Sequence, residues 1–217
     1  MIKIVPALLR NNFENFKKDL HQVESFAEYV QIDVMDGVFV PTRSFSEIDE
    51  INDLKSPAKF ELHLMVEHPL VEIEKWIKVK NIFRVIFHVE SADDIGTVIQ
   101  KIHENNWQAG IALNPNSPLS MIEHYLSAVD LVLFLSVIPG KQGSSFVPSV
   151  VEKITKLTYK LANLDKKPLV AVDGAVNKNN IIMLKNAGVE IFNIGSALTM
   201  ASNPEKAYNE FVMKLTI

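Results

Sequence analysis

The feature that most narrows the fold is a repeated alternation of apolar strand-like runs with amphipathic helical stretches along the 217-residue chain. Strand-like runs stand at Ile2–Leu8, Tyr29–Val34, Lys59–Leu64, Phe83–His88, Ala109–Leu113, Leu131–Val137, Leu169–Val172 and Ile191–Ile194. Asn11-Asn12 caps a first helical stretch in which Phe13, Phe16, Leu20, Val23 and Phe26 recur at helical spacing. Further helices are predicted over Glu47–Leu54, Leu70–Val79, Asp93–Asn105, Leu119–Leu126, Val147–Leu161, Asn179–Asn186 and Pro204–Leu215. That makes β-then-α units of roughly 27 residues each, near the lower size limit of a (β/α)8 barrel. Parallel strands covered by helices are buried on both faces, so they read as continuous apolar runs, as R-V-I-F, D-L-V-L-F-L and P-L-V-A-V do. The expected fold is therefore α/β, a single (β/α)8 TIM barrel over residues 1–217, since no Pro/Gly/Ser-rich linker or shift in composition divides the chain. A doubly wound open sheet is the runner-up, because periodicity does not prove closure.

A hydrophobic content of 47% is enough for one sizeable core. The net charge of −4 leaves no basic footprint, which argues against a nucleic-acid partner. The chain has no cysteine, so disulfides, thiolate metal sites and a cysteine nucleophile are excluded. No run approaches membrane-spanning length, and the N-terminal I-K-I-V-P-A-L-L is too short for a signal peptide's apolar region. The expectation is a cytoplasmic protein with no membrane partner.

The second strand carries the densest chemistry. Val30, Ile32 and Val34 alternate with Gln31 and Asp33, and the run enters an Asp36-Gly37 turn. Burying Asp33 without a partner would be costly, so Asp33, Met35 and Asp36 are expected to face a cleft at the strand's C-terminal end. The other strands end on Ala7-Leu8-Leu9, His63-Leu64-Met65, His88-Val89-Glu90, Leu113-Asn114-Pro115, Ser136–Gly140, Asp173-Gly174-Ala175 and Gly195-Ser196. Acids and imidazoles thus gather on the rim where barrels of this kind do their chemistry. His88 reads equally well as a satisfied core histidine.

Asp33 and Asp173, from the second and seventh strands, would face each other across the barrel mouth, with His63 beside Asp33. Carboxylate and imidazole donors suit zinc, manganese or ferrous iron. Two acids flanking a substrate can remove a proton from one face and return one to the other. That suits epimerisation next to a carbonyl, with the metal as Lewis acid. Glycine-bearing loops at 173–176 (D-G-A-V), 195–197 (G-S-A) and 139–145 (P-G-K-Q-G-S-S) suit a phosphate cradle of backbone N–H groups. Lys141 offers that loop a point charge, although an exposed loop lysine needs no such role.

The motifs I-V-P-A-L-L, D-V-M-D-G-V-F-V-P, H-L-M-V, H-V-E, L-N-P-N-S-P, S-V-I-P-G, V-D-G-A-V and G-S-A, in this order, resemble the ribulose-phosphate 3-epimerase family over nearly the whole chain. The resemblance implies interconversion of D-ribulose 5-phosphate and D-xylulose 5-phosphate, with one divalent metal ion (Zn, Mn or Fe) and a phosphorylated ketose as substrate. Asp33 and Asp173 would be the catalytic proton-transfer pair and also metal ligands, together with His63. Met35 and Met65 would wall the reacting carbon. Gly140, Gly143, Gly174, Ala175, Gly195 and Ser196 would hold the phosphate, and Ala7 stands at a substrate-contact position. The family also implies a homo-oligomer.

The chain departs from the family pattern inside the site. Gln31 replaces a metal-ligand histidine, Ala7 a serine and Leu135 a third wall methionine, and Asp-Gly-Gly has become Asp173-Gly174-Ala175. Gln31 is a candidate ligand through its amide oxygen, a poorer donor, so the metal is expected to bind weakly. Alanine at 175 fits a backbone contact only if its φ is negative. The alternatives are an epimerase for a related ketose phosphate and a phosphosugar-binding homologue with impaired turnover. A decarboxylase of the Asp-x-Lys-x-x-Asp kind is disfavoured, because D-V-M-D lacks the lysine.

Overall fold

The computed structural model describes residues 2–139 and 144–216. Its strands β1 (Lys3–Leu8), β2 (Tyr29–Met35), β3 (Lys59–Met65), β4 (Ile82–His88), β5 (Gln108–Leu113), β6 (Leu131–Leu135), β7 (Leu169–Asp173) and β8 (Ile191–Ile194) form a closed parallel barrel in chain order. Pairing of β1 with β8, from Lys3 opposite Ile191 to Pro6 opposite Ile194, closes the ring and rules out the open sheet. Helices α1 (Phe13–Val23), α2 (Pro69–Trp76), α3 (Ile95–Glu104), α4 (Ser149–Leu161), α5 (Ile181–Ala187), α6 (Ser196–Thr199) and α7 (Pro204–Thr216) lie along the connections.

The strands' period-two pattern divides side chains between two environments. On β2, Val30, Ile32 and Val34 face the helices and join the large core between sheet and helix ring, as Phe60, Leu62 and Leu64 do on β3. Val5, Ile86, Ala112, Leu131, Leu133, Ala171 and Ile191 fill the barrel's interior. Gln31, Asp33, Glu61 and His63 take the opposite faces of β2 and β3, so the same alternation that builds the outer core aims polar groups inward.

Two crossovers differ from expectation. Ile48–Leu54 is a 3-10 helix that ends at Lys55 with φ +49°, and Leu119–Leu126 is reduced to short 3-10 turns at Leu119–Met121 and Glu123–Tyr125. 3-10 turns commonly serve as connectors between longer elements, which is their place here. Sequence pattern also missed α6, a single turn after β8.

Candidate active site

Register sets the site. Parallel pairing places Asp33 opposite His63, Leu135 opposite Asp173 and Asp173 opposite Asn193. Asp33 and Asp173 thereby reach the C-terminal mouth from opposite parts of the wall, with His63 between them. His63 Nδ1 stands 3.2 Å from Asp33 Oδ1 and 3.3 Å from Asp173 Oδ2. All three residues are buried, and their ligating atoms lie within 4.8 Å of one another. Two carboxylate oxygens and an imidazole nitrogen at this spacing fit a divalent cation such as zinc or manganese.

The electrostatics of the group are mutual. Burial pushes the Asp33 carboxyl above its usual range; the Asp173 charge adds to this, while hydrogen bonds from His63 and Gln31 oppose it. For His63, burial works against the charged form, but bonds to Asp173 and Asp33 outweigh it and raise the imidazole to about 9. His63 Nε2 meets His88 Nε2 at 3.0 Å, and His88 Nδ1 meets Glu90 Oε2 at 3.1 Å. Burial is the main cause that lowers the pKa of His88, so its neutral ring accepts from His63 and donates to Glu90. Glu90 is in turn bonded by the backbone N–H of Asn114 at 2.9 Å and by the Ser117 hydroxyl. His88 is thus a satisfied core histidine that also orients His63, the kind of support that fixes which ring nitrogen faces a metal.

Gln31 does not take the role expected of it. Its Nε2 donates to Asp33 Oδ1 at 2.7 Å and to Asp173 Oδ2 at 2.6 Å, while its Oε1 accepts from Asn193 Nδ2. The amide oxygen proposed as a ligand therefore points away from the carboxylates. The partners that turn it, Asn193, Glu61 and Arg84, drew no attention in the sequence. Their only signal there was polar residues on strands that otherwise read as fully apolar.

Above this floor opens a cavity of about 390 Å³. Met35 and Met65 line it, as do Ala7 and Leu135. Gly174, Ala175, Gly195 and Ser196 form its other side, together with Asn177 and Met200, which sequence reasoning missed. Gly140 and Gly143, with Lys141, lie outside the described residues. The Ser136 hydroxyl pins the start of the β7 loop, donating to the carbonyls of Asp173 (2.9 Å) and Gly174. Gly174 has φ +99°, and a Cβ there would come 2.6 Å from Val137 Cγ2. Ala175 follows at φ +51°, so the condition under which alanine fits a backbone contact there, a negative φ, is not met. Its carbonyl accepts from the side chains of Asn177 (2.9 Å) and Asn180 (3.0 Å), which hold the left-handed turn in place.

Asp36 also departs from expectation. Instead of facing the cleft, Oδ1 accepts from the N–H groups of Val38 and Phe39 (2.8 and 2.9 Å), and Oδ2 from Glu67 N–H at 2.7 Å. Burial would raise its pKa, but these backbone donors outweigh it and hold the carboxyl below its usual value. Asp36 fastens the loops after β2 and β3 to each other.

Residues 3–199 match the model of the ribulose-phosphate 3-epimerase family. The chain is 34% identical to a ribulose-phosphate 3-epimerase of Bacillus subtilis, over 97% of this chain and 98% of that protein. It is 28% identical to the ribulose-phosphate 3-epimerase of Escherichia coli K12, over 98% of this chain and 95% of that one. Among solved structures, orotidine 5′-phosphate decarboxylase from Pyrococcus horikoshii superposes with a TM-score of 0.69 at 15% identity, covering 99% and 100% of the two chains. A likeness at that identity concerns the fold alone.

Proposed function

Because the chain belongs to the ribulose-phosphate 3-epimerase family, a family of isomerases, we propose that it interconverts D-ribulose 5-phosphate and D-xylulose 5-phosphate by two-base proton transfer at C3. The observation that carries this reading is the placement of Asp33 and Asp173 on opposite walls of one cavity, both bonded to His63 at its floor. With the sugar between them, one aspartate takes the C3 proton from one face while the other delivers a proton to the opposite face. Inversion at that carbon follows, and the return reaction exchanges the two roles.

Asp33, His63 and Asp173 are the residues that would hold a divalent ion. When bound, it supplies Lewis acidity that offsets the negative charge developing on the substrate's oxygens. His88 and Glu90 keep His63 turned so that Nδ1 faces the carboxylates. The phosphate is held at the other end of the cavity by the backbone of Gly174, Gly195 and Ser196, with the Ser196 hydroxyl as a further donor; Ala175, at φ +51°, does not meet the condition set for a backbone contact of its own. Gly140 and Gly143 belong to the same reading through their loop. Met35, Met65, Leu135 and Ala7 make an apolar wall around the reacting carbon that keeps water from it. Gln31 holds both aspartates in place.

The test is incubation of the purified protein with D-ribulose 5-phosphate in D2O, with Mn²⁺ or Zn²⁺ added or withheld. Deuterium is expected to enter at C3 together with D-xylulose 5-phosphate. If no deuterium enters under any metal, while the phosphosugar still binds, the protein is a binding homologue and the catalytic reading fails.

A further inference from the structure

We propose that a buried chain of side chains, Arg84–Glu61–Asn193, fixes the direction of the Gln31 amide and thereby keeps its oxygen from serving as a metal ligand. This rests on the reading of Asp33, His63 and Asp173 as the metal group. The inference follows from donor and acceptor identity at each step. Arg84 has only donors to offer, and its Nη1 meets Glu61 Oε2 at 2.6 Å; its Nε and Nη2 donate to Gln108 Oε1 at 3.1 and 2.7 Å. Glu61, paired with that guanidinium, is an acceptor, so the Asn193 atom against its Oε1 must be the amide nitrogen. The same Asn193 nitrogen touches Gln31, and the Gln31 atom it meets must then be the oxygen. What remains of the Gln31 amide is its NH2, and both of its hydrogens are taken by Asp33 Oδ1 and Asp173 Oδ2.

Burial makes this order rigid. Gln31 and Glu61 are fully shielded from solvent, Asn193 is 1% exposed and Arg84 4%, so bulk water offers them few alternative partners. Asn193 Oδ1 is itself buried without a hydrogen-bond partner among the described residues. Turning Asn193 over to satisfy it would set that oxygen against the Glu61 carboxylate, a worse contact than the orphaned acceptor. The direction of the whole chain is therefore decided at Arg84, on the opposite side of the barrel interior from the cavity mouth. Its consequence for the site is twofold. The two carboxylate oxygens that would bind an ion are held together by one nitrogen, and its two N–H groups occupy acceptor capacity on both oxygens that an ion would otherwise use. Gln31, Asn193 and Glu61 are positioning residues that set metal affinity rather than supply ligands.

Reversing the chain tests this. In an Asn193→Asp/Glu61→Gln double variant the buried formal charge is unchanged. Residue 61 now donates to residue 193, Gln31 must donate to it as well, and the Gln31 oxygen turns to the metal group. Mn²⁺ and Zn²⁺ affinity, read by calorimetry and by metal content after dialysis, should tighten about tenfold or more. Adding Asp33→Asn to the double variant should abolish the gain. The isosteric Asn193→Leu variant frees the Gln31 amide to turn, and it should bind metal more tightly while unfolding at lower urea. A merely structural residue would lower both, so Asn193→Leu decides the matter even if the double variant does not fold. Wild-type protein that binds metal while its variants bind no tighter would overturn the orienting chain and leave the metal group standing. Failure of the wild type and every variant to bind metal would overturn the metal group, and this inference with it.

Discussion

Asp33 on β2 and Asp173 on β7 accept hydrogen bonds from one and the same nitrogen, Gln31 Nε2, at 2.7 and 2.6 Å. The two acids of the proposed proton-transfer pair are thus tied to each other at the floor of the cavity. The residue that ties them sits where the resemblance read from the sequence implies a ligand histidine.

Asp173→Asn keeps an oxygen able to accept from Gln31 but removes the acid–base function. Deuterium entry at C3 and turnover of D-ribulose 5-phosphate should fall by about a thousandfold. Far-ultraviolet circular dichroism and the urea midpoint should stay near wild type. Near-normal turnover would remove Asp173 from the proton-transfer pair.

Arg84→Met leaves Glu61 as an unpaired buried carboxylate, since Arg84 Nη1 is its cationic partner at 2.6 Å. Breaking such a pair from one side costs about 3 kcal/mol or more, far beyond the worth of a surface ion pair. Urea unfolding measures this directly. A loss under about 1 kcal/mol would mean that water reaches Glu61 through the barrel's N-terminal end.

Asp36→Asn tests the loop fastening by its pH dependence. The folded-state pKa is depressed by the N–H groups of Val38, Phe39 and Glu67, which outweigh burial. The charge's contribution to stability is therefore present above the unfolded value near 4 and lost as pH falls through the lower folded value. The variant should be less stable than wild type by about 1 kcal/mol at neutral pH. The two urea curves should converge as the pH drops below about 4. A difference independent of pH would show that the carboxylate's charge plays no part.

Ala175→Gly relieves an alanine held at φ +51°. Left-handed backbone costs an L residue roughly 1–2 kcal/mol, and the extra freedom of an unfolded glycine returns up to about 1. A small net gain in thermal stability is expected. Gly174→Ala should act the other way, by about 2 kcal/mol or more, because it adds strain at φ +99° to a contact 2.6 Å from Val137. Equal effects of the two substitutions would mean that φ does not govern this loop.

Strand and helix order was legible because apolar periodicity is local: each run needs only its own residues to declare a buried face. The same pattern located Asp33, His63 and Asp173, since strand ends in a parallel barrel fall on one rim. Even so, Leu119–Leu126, read as a helix, folds as 3-10 turns, and Asp36, read as facing the cleft, turns to backbone N–H groups instead.

The sequence by itself determined the alternation that makes a barrel, the acids and imidazole at its mouth, and the glutamine at position 31. Tertiary structure alone decided which way that glutamine's amide faces. An amide carries a donor and an acceptor at nearly the same position, and its direction is set by what it meets. For Gln31 those partners come from β2, β7 and β8, and through Asn193 from β3 and β4. No local pattern can bring such distant groups together; closure of the barrel does.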